Sequence, residues 1–426
     1  MLSREDNERL TQVAAGTPMG TLLRRYWMPA LLSSELEANG APVRVRLLGE
    51  QLVAFRDSAG RVGLLEEFCA HRRASLFLGR NEQCGLRCVY HGWKYDIEGR
   101  IVDMPTEPAD STVNERIKQP AYPTCEIGDV VWTYMGPPEQ MPPKPYFGWT
   151  QPQATHRSVS RNWQECNYLQ AVEGGVDSAH VGWLHRVLHP EGGGAGFSGI
   201  WTGNVVADEV DPTDYGHVYA CIRAVPDNRK WARAYHFVMP FHVMFPLELG
   251  YGGTGLDSYT PMMGGTMWVP MDDENSMMYL WTVRLGEEPL TATEREWLDR
   301  IRGLGPGTLT DDFRKIRNRQ INWGIDRALQ RSTNFSGIDG ILAQDHAVQE
   351  GMGPIVDRSK EHLGKTDNAV VRTRRILLDA LNSLDEGREP PGLTTSYYGL
   401  FGSERILPSD ADWRVHLLHR ANEVAE

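Results

Sequence analysis

Long apolar runs, positive charge and cysteine are all scarce in this 426-residue chain. No apolar stretch approaches the roughly 18–20 residues that cross a bilayer, so a membrane span is not expected. The opening Met1-Leu2-Ser3-Arg4-Glu5-Asp6-Asn7 has neither an apolar core nor a cleavage pattern, which argues against an export signal. Lys and Arg number 44 against 56 Asp and Glu, a formal net charge of −12. A duplex nucleic-acid partner is disfavoured on electrostatic grounds. Six cysteines in a chain this long, without an export signal, do not make a disulfide framework. Metal ligation or inert burial is the expectation for them, and the cytoplasm is the expected compartment. Hydrophobic residues at 41% and charged residues at 23% are ordinary globular values, and the length suits two domains.

Ser3 with Asp6, and Thr17 with Pro18, read as helix N-termini. From Pro42 the period changes to two: Val43, Val45 and Leu47 alternate with Arg44 and Arg46, and Gly49-Glu50 turns the chain. Residues 52–55, 62–65 and 130–134 read as further strands of a small all-β unit. The prolines at 137, 138, 142, 143 and 145 make a stiff, extended linker. Two domains are therefore expected, 1–145 and 146–426.

Within the β unit lies C-x-H-x16-C-x2-H, formed by Cys69, His71, Cys88 and His91. Two Cys and two His can hold a single zinc ion. A zinc finger, however, groups its Cys pair apart from its His pair. Here each turn carries one Cys and one His, which suits a [2Fe–2S] cluster with both thiolates on one iron and both imidazoles on the other. Cys84 is a rival for Cys88, but it does not complete the C-x2-H turn and reads as a loop cysteine.

The second half holds Asp177, His180 and His185 in a segment, 163–188, that can form a long helix loosened by Gly174-Gly175, with a break or bend expected at that pair. Three residues turn a helix by about 300° and five by about 500°, so the three side chains share one broad sector. Two imidazoles on one face begin a transition-metal site, and a carboxylate can hold the outer N–H of one of them. His189 competes with them and reads as a surface residue or as a support for a ligand. Residues 218–223, 235–245, 264–269 and 277–283 read as long strands without intervening helices, hence an antiparallel sheet. Thr293 with Glu296 reads as a helix cap, and 367–384 as a strong helix.

The Cys-His turns followed by D-x2-H-x4-H resemble the oxygenase (alpha) subunit of the Rieske non-haem iron oxygenases. Cys88-Val89-Tyr90-His91-Gly92-Trp93 and Gln344-Asp345 with Met352-Gly353-Pro354 resemble the phthalate dioxygenase-like branch. The resemblance implies an α+β protein, with an N-terminal all-β Rieske [2Fe–2S] domain and a C-terminal helix-grip catalytic domain built on an antiparallel sheet. It implies a mononuclear Fe(II) held by His180, His185 and a late carboxylate, for which Asp345 is nominated over Asp339 and Glu350. It implies an NADH-dependent system with a separate flavin and iron–sulfur reductase, and a homotrimer or dimer of trimers. Asp177 is expected to link the iron to a cluster His of a neighbouring subunit. The implied activity is O2-dependent ring dihydroxylation or O-demethylation of an aromatic carboxylic acid. The alternatives are N-demethylation or monooxygenation of a non-aromatic substrate, and a pure Rieske electron carrier. Trp183, Met244, Phe245 and Met267 are pocket candidates by composition. Arg223 and Arg233 could receive a carboxylate. Glu173, where many relatives carry Asn, could place an acid in the pocket. Arg72, Arg73, Arg87 and Lys94 flank the cluster turns, either as a docking patch for an acidic donor or as a solvated rim.

Overall fold

The computed structural model describes residues 2–189, 199–248, 261–305, 307–393, 396–397 and 399–418. It divides into two compact units, Val13–Pro145 and Met1–Gln12 with Tyr146–Glu426. The first twelve residues thus belong to the C-terminal unit, not to an N-terminal domain running from 1 to 145. The helix Arg4–Thr11 is tied there by Tyr168 Oη, which donates to Leu10 O at 3.0 Å, and by Asn167 Nδ2, which donates to Thr11 O at 2.9 Å. Its cap is the expected one, with Ser3 accepting from the Asp6 amide.

The unit 13–145 is all antiparallel β, apart from short helical segments. One sheet runs in the order Val43–Leu47, Glu50–Arg56, Val62–Glu66, Ala121–Tyr122. Alternation places Val45 and Leu47 inward and Arg44 and Arg46 outward, as the period of two requires. A second sheet joins Trp27–Leu32, Val130–Tyr134 and Thr124–Ile127. A third joins Arg80–Glu82, Gly85–Arg87, Lys94–Tyr95 and Ile101–Asp103. Val53, Phe55, Leu65, Leu76, Leu86, Trp93 and Tyr95 form one core, and the thiols of Cys69 and Cys88 are part of it. Burying each large apolar side chain contributes about 1.5–3 kcal/mol.

The C-terminal unit is built on an antiparallel sheet. Its order is Arg157–Gln164, Ser276–Arg284, Met262–Pro270, His242–Pro246, Arg229–Val238, Gly216–Val225, Val205–Pro212. The strand Arg229–Val238 forks the sheet: its first half pairs with Ser403–Pro408 and its end with His242–Pro246. The expected strand 235–245 is therefore a hairpin, turning at 239–241. Helices cover the sheet. Tyr168–Val176 lies against Met262–Pro270, and Asn368–Asp385 against the strands at 205–212 and 216–225. The helix Ala292–Arg302 packs on Ile341–Gly351. It starts at a capping box of Thr291 and Glu294, two residues before the expected pair, and stops at Gly303 in the left-handed conformation.

The expected long helix 163–188 does not form. Residues up to Gln164 are strand, the helix Tyr168–Val176 ends at an extended Asp177, and a single turn, Val181–Leu184, follows. The break falls after the glycine pair, and the glycines serve close packing. A Cβ on Gly175 would sit 2.0 Å from the Trp268 ring, and one on Gly174 2.1 Å from Gln349 Nε2.

Candidate metal centres

The two Cys-His turns are built alike. The Cys69 amide donates to Ala74 O, and Arg73 N donates back to Cys69 O at 2.8 Å. The Cys88 amide donates to Trp93 O, and Gly92 N donates back to Cys88 O at 3.0 Å. Each turn closes on a residue of positive φ, Arg73 at 60° and Gly92 at 78°. The thiols point inward, 1% and 2% exposed, and the imidazoles lie at the edge. The rings of His71 and His91 are 4.5 Å apart, and His71 stacks on Trp93. Burial raises the Cys88 thiol, and Cys69 beside it adds to the effect.

His71 Nδ1 is buried without a hydrogen-bond partner, as a nitrogen awaiting a metal would be. Among the described residues no three of these four donors come within 4.8 Å of one another. A single tetrahedral ion would hold them within about 4 Å, whereas two irons spread them further. Cys84 sits instead in the hairpin turn between Glu82 and Gly85, with its sulfur 3.1 Å from Ser58 Oγ.

The second centre joins two distant segments. Asp177 Oδ1 accepts from the amides of Ala179 at 2.7 Å and His180 at 3.4 Å, which starts the short helix. His180 and His185 occupy the two ends of that turn, in place of one sector of a long helix. Their Nε2 atoms lie 3.4 and 3.2 Å from Oδ1 of Asp345, on the helix Ile341–Gly351. These three ligand atoms form the one group of at least three converging within 4.8 Å among the described residues. Asp345 Oδ1 is buried and accepts no hydrogen bond of normal geometry.

The outer nitrogens are held. His185 Nδ1 is 2.7 Å from Gln344 Oε1, whose own amide nitrogen donates to Ile338 O at 2.8 Å, and His180 Nδ1 is 3.4 Å from Asp177 Oδ2. The Gln344 amide is thus oriented with its oxygen toward His185. The proton of that ring sits on Nδ1, leaving Nε2 as a bare donor. Burial alone would lower His180, but Asp177 and Asp345 outweigh it and raise it to about 10. Burial opposes ionisation of Asp345, yet the two imidazoles hold its carboxyl well below the ordinary range. Two nitrogens and one carboxylate, in surroundings that favour a cation, suit ferrous iron with open positions. Spacing in the Gln344-Asp345 pair points only to the aspartate; the role of Gln344 comes from its contact with His185, 159 residues away.

The competing ligands lie elsewhere. His189 and Asp339 are exposed. Glu350 is buried, accepting from Trp323 Nε1 at 2.5 Å and Glu165 N at 3.1 Å. Glu173 brings no acid to the pocket. It is bound by Arg358 at 2.8 Å and Arg374 at 2.6 Å in a buried ion-pair network. Arg223 is fully buried and donates to Ser178 O, bracing the turn between Asp177 and His180. Near the cluster turns, Arg73 pairs with Glu66, Arg87 with Glu82 and Asp103, and Lys94 is buried. Of the four expected cations, only Arg72 is exposed without a carboxylate against it among the described residues, so the patch is largely neutralised there.

A cavity of about 180 Å³ opens beside His180, His185 and Asp345. Its walls are mostly apolar, as small-molecule sites usually are. Val243, Phe245 and Leu247 line it from alternate positions, while Met244 between them is buried on the opposite face. Met267 does not line it, and Trp183 is 58% exposed on the surface. Arg233 does line it, donating to Pro246 O at 2.6 Å, with its guanidinium 4.4 Å from the Trp201 ring.

Residues 26–123 match the Rieske [2Fe–2S] domain family, and residues 133–425 match the LigXa C-terminal domain-like family. The chain is 37% identical to the phthalate 4,5-dioxygenase oxygenase subunit of Pseudomonas putida, over 100% of this chain and 98% of that one. It is also 37% identical to the 3-chlorobenzoate-3,4-dioxygenase oxygenase subunit of Comamonas testosteroni, over 97% of each. Identity to the 5,5'-dehydrodivanillate O-demethylase oxygenase subunit of a Sphingobium strain is 30%, over 92% of this chain and 84% of that one. Dicamba monooxygenase bound to dicamba shares the fold, with a TM-score of 0.61 at 18% identity over 86% of this chain and all of that one. The two family matches and the full-length relatives agree with the two centres, and the chain belongs to the Rieske non-haem iron oxygenases as an oxygenase subunit, with a [2Fe–2S] cluster and a mononuclear iron as its cofactors.

Proposed function

We propose that this oxygenase subunit hydroxylates an aromatic carboxylic acid, by ring dihydroxylation or by O-demethylation of a methoxybenzoate-type substrate. Cys69, His71, Cys88 and His91 hold the cluster, and His180, His185 and Asp345 hold the iron. The observation that carries the reading is the convergence of His180 Nε2, His185 Nε2 and Asp345 Oδ1 at the mouth of an apolar cavity. The relatives named for phthalate, 3-chlorobenzoate and dehydrodivanillate support the substrate class.

When bound, the cluster supplies electrons one at a time and the ferrous ion supplies a redox-active site for O2 chemistry. The protein's own part is positioning. Gln344 keeps the proton of His185 on Nδ1, Asp177 does the same for His180, and Asp345 neutralises the cation. The cavity walls exclude water and receive the ring. Asp177 is half-buried in the single chain, which leaves its carboxylate open to a cluster His of a neighbouring subunit in a homotrimer or dimer of trimers. Electrons come from a separate flavin and iron–sulfur reductase oxidising NADH, in the cytoplasm.

The test is turnover under 18O2 with a generic reductase and a panel of benzoates, phthalates and methoxybenzoates. Two labelled oxygens in a diol identify dihydroxylation, and formaldehyde identifies demethylation. A panel that yields neither an 18O-labelled diol nor formaldehyde refutes the proposal.

A further inference from the structure

We infer that Arg302 is the anion-binding group of the cavity and takes the carboxylate of an aromatic acid. The inference rests on the substrate class proposed above and names the residue that selects it. Arg302 ends the helix Ala292–Arg302, is 3% exposed, and lines the same cavity as His180, His185 and Asp345. Its Nη1 donates to Ser158 Oγ at 3.0 Å and Ser160 Oγ at 3.4 Å, and its Nη2 to Thr282 Oγ1 at 2.7 Å.

These acceptors are neutral. They satisfy hydrogen bonds but carry no charge, and Asp299, three residues back on the helix, raises the guanidinium only through space. Among the described residues no carboxylate forms an ion pair with Arg302, in contrast to the buried Arg358 and Arg374, which share Glu173. The partial negative charge of the helix C-terminus offsets only a fraction of a unit charge. A buried cation without an ion-paired carboxylate is costly, and here burial pulls the guanidinium down to about 10 although Asp299 opposes it. A ligand carboxylate would supply the missing charge through bidentate hydrogen bonds, with the swivelling hydroxyls yielding to it. Its ring would lie among Phe245, Trp268 and Leu280. Arg233, the other cavity arginine, is already committed to Pro246 O and to the ring of Trp201.

The experiment is anaerobic calorimetric titration of the holoenzyme with benzoate, phthalate and the neutral isostere benzamide. Cluster absorption and iron content serve as checks on the fold. Wild type should bind an acid at least about 10-fold more tightly than the amide. Arg302→Met should weaken acid binding about 100-fold and abolish the preference for acid. Arg302→Lys keeps a cation but loses the planar fork, so acid binding should fall about 10-fold with the amide unchanged. If Arg302→Met does not fold, the lysine variant decides. Acid preference intact in the folded variants overturns the assignment to Arg302 while leaving the substrate class standing. A wild type that binds the amide as tightly as the acids also overturns it. A wild type that binds no aromatic acid overturns the substrate class and this inference together.

Discussion

Replacing Gln344 by leucine tests the reasoning about the iron ligands most directly. Gln344 is fully buried, and its Oε1 is the acceptor 2.7 Å from His185 Nδ1. Leucine fills similar space but strands the ring N–H in an apolar setting. An unsatisfied buried donor costs about 1–3 kcal/mol, or roughly 5- to 150-fold in an equilibrium constant. The ring can escape by moving its proton to Nε2, which removes the lone pair that iron needs. Both routes weaken iron binding, in line with the 10- to 100-fold typical of losing an outer partner of a metal ligand. The lost bond to Ile338 O adds a stability cost that melting would register independently. The assay is ferrous-iron retention against a graded chelator series, with cluster absorbance as the internal control. Expected is loss of mononuclear iron and of turnover in parallel, with the cluster intact. Gln344→Glu, which still offers an acceptor oxygen, should recover most of the iron affinity. A leucine variant that keeps wild-type iron affinity would refute the claim that Gln344 sets the His185 tautomer.

Three further outcomes follow from the same structure. Asp177→Asn should keep both metals yet lose nearly all turnover, by metal analysis and O2 consumption; iron lost together with activity would make the residue a support for His180 alone. Glu173→Ala leaves Arg358 and Arg374 buried without their shared carboxylate and should cost about 3–5 kcal/mol in denaturant unfolding; a loss below about 1 kcal/mol would contradict the network. Burial holds His217 down to about 3, His236 to about 4 and His242 to about 3. Each folded value lies below the unfolded one near 6.5, so the stability is fully present above pH ~6.5 and is lost as pH falls toward 4. A melting temperature flat between pH 7 and 4.5 would contradict this, and His242→Gln should flatten part of the slope.

Local chemistry is legible in sequence, and burial is not. The Cys-His turns are legible because each is a six-residue unit whose donors, closing hydrogen bonds and positive-φ residue lie together in the chain. The strand alternation at 43–47 and the caps at Ser3 and Thr17 are likewise short-range. The helix breaks just after the glycine pair, as that pair suggests, but a glycine that relieves a turn and one that admits a neighbour look the same in sequence. Only the approach of Trp268 and Gln349 distinguishes them. Glu173 shows the opposite: its place where many relatives carry Asn points to a pocket acid, and two arginines about 185 and 200 residues away claim it.

By itself, the sequence determined the two metal motifs, the all-β unit that carries one of them and the antiparallel sheet behind the other. Periodicity, turn chemistry and ligand spacing act over a few residues and survive reading along one dimension. The tertiary structure decided which carboxylate joins the two histidines, what holds their outer nitrogens, which face of each strand lines the cavity, and that Arg302 stands in it with no ion-paired carboxylate among the described residues. These depend on contacts between segments a hundred residues and more apart, where packing selects one partner from many of the same type.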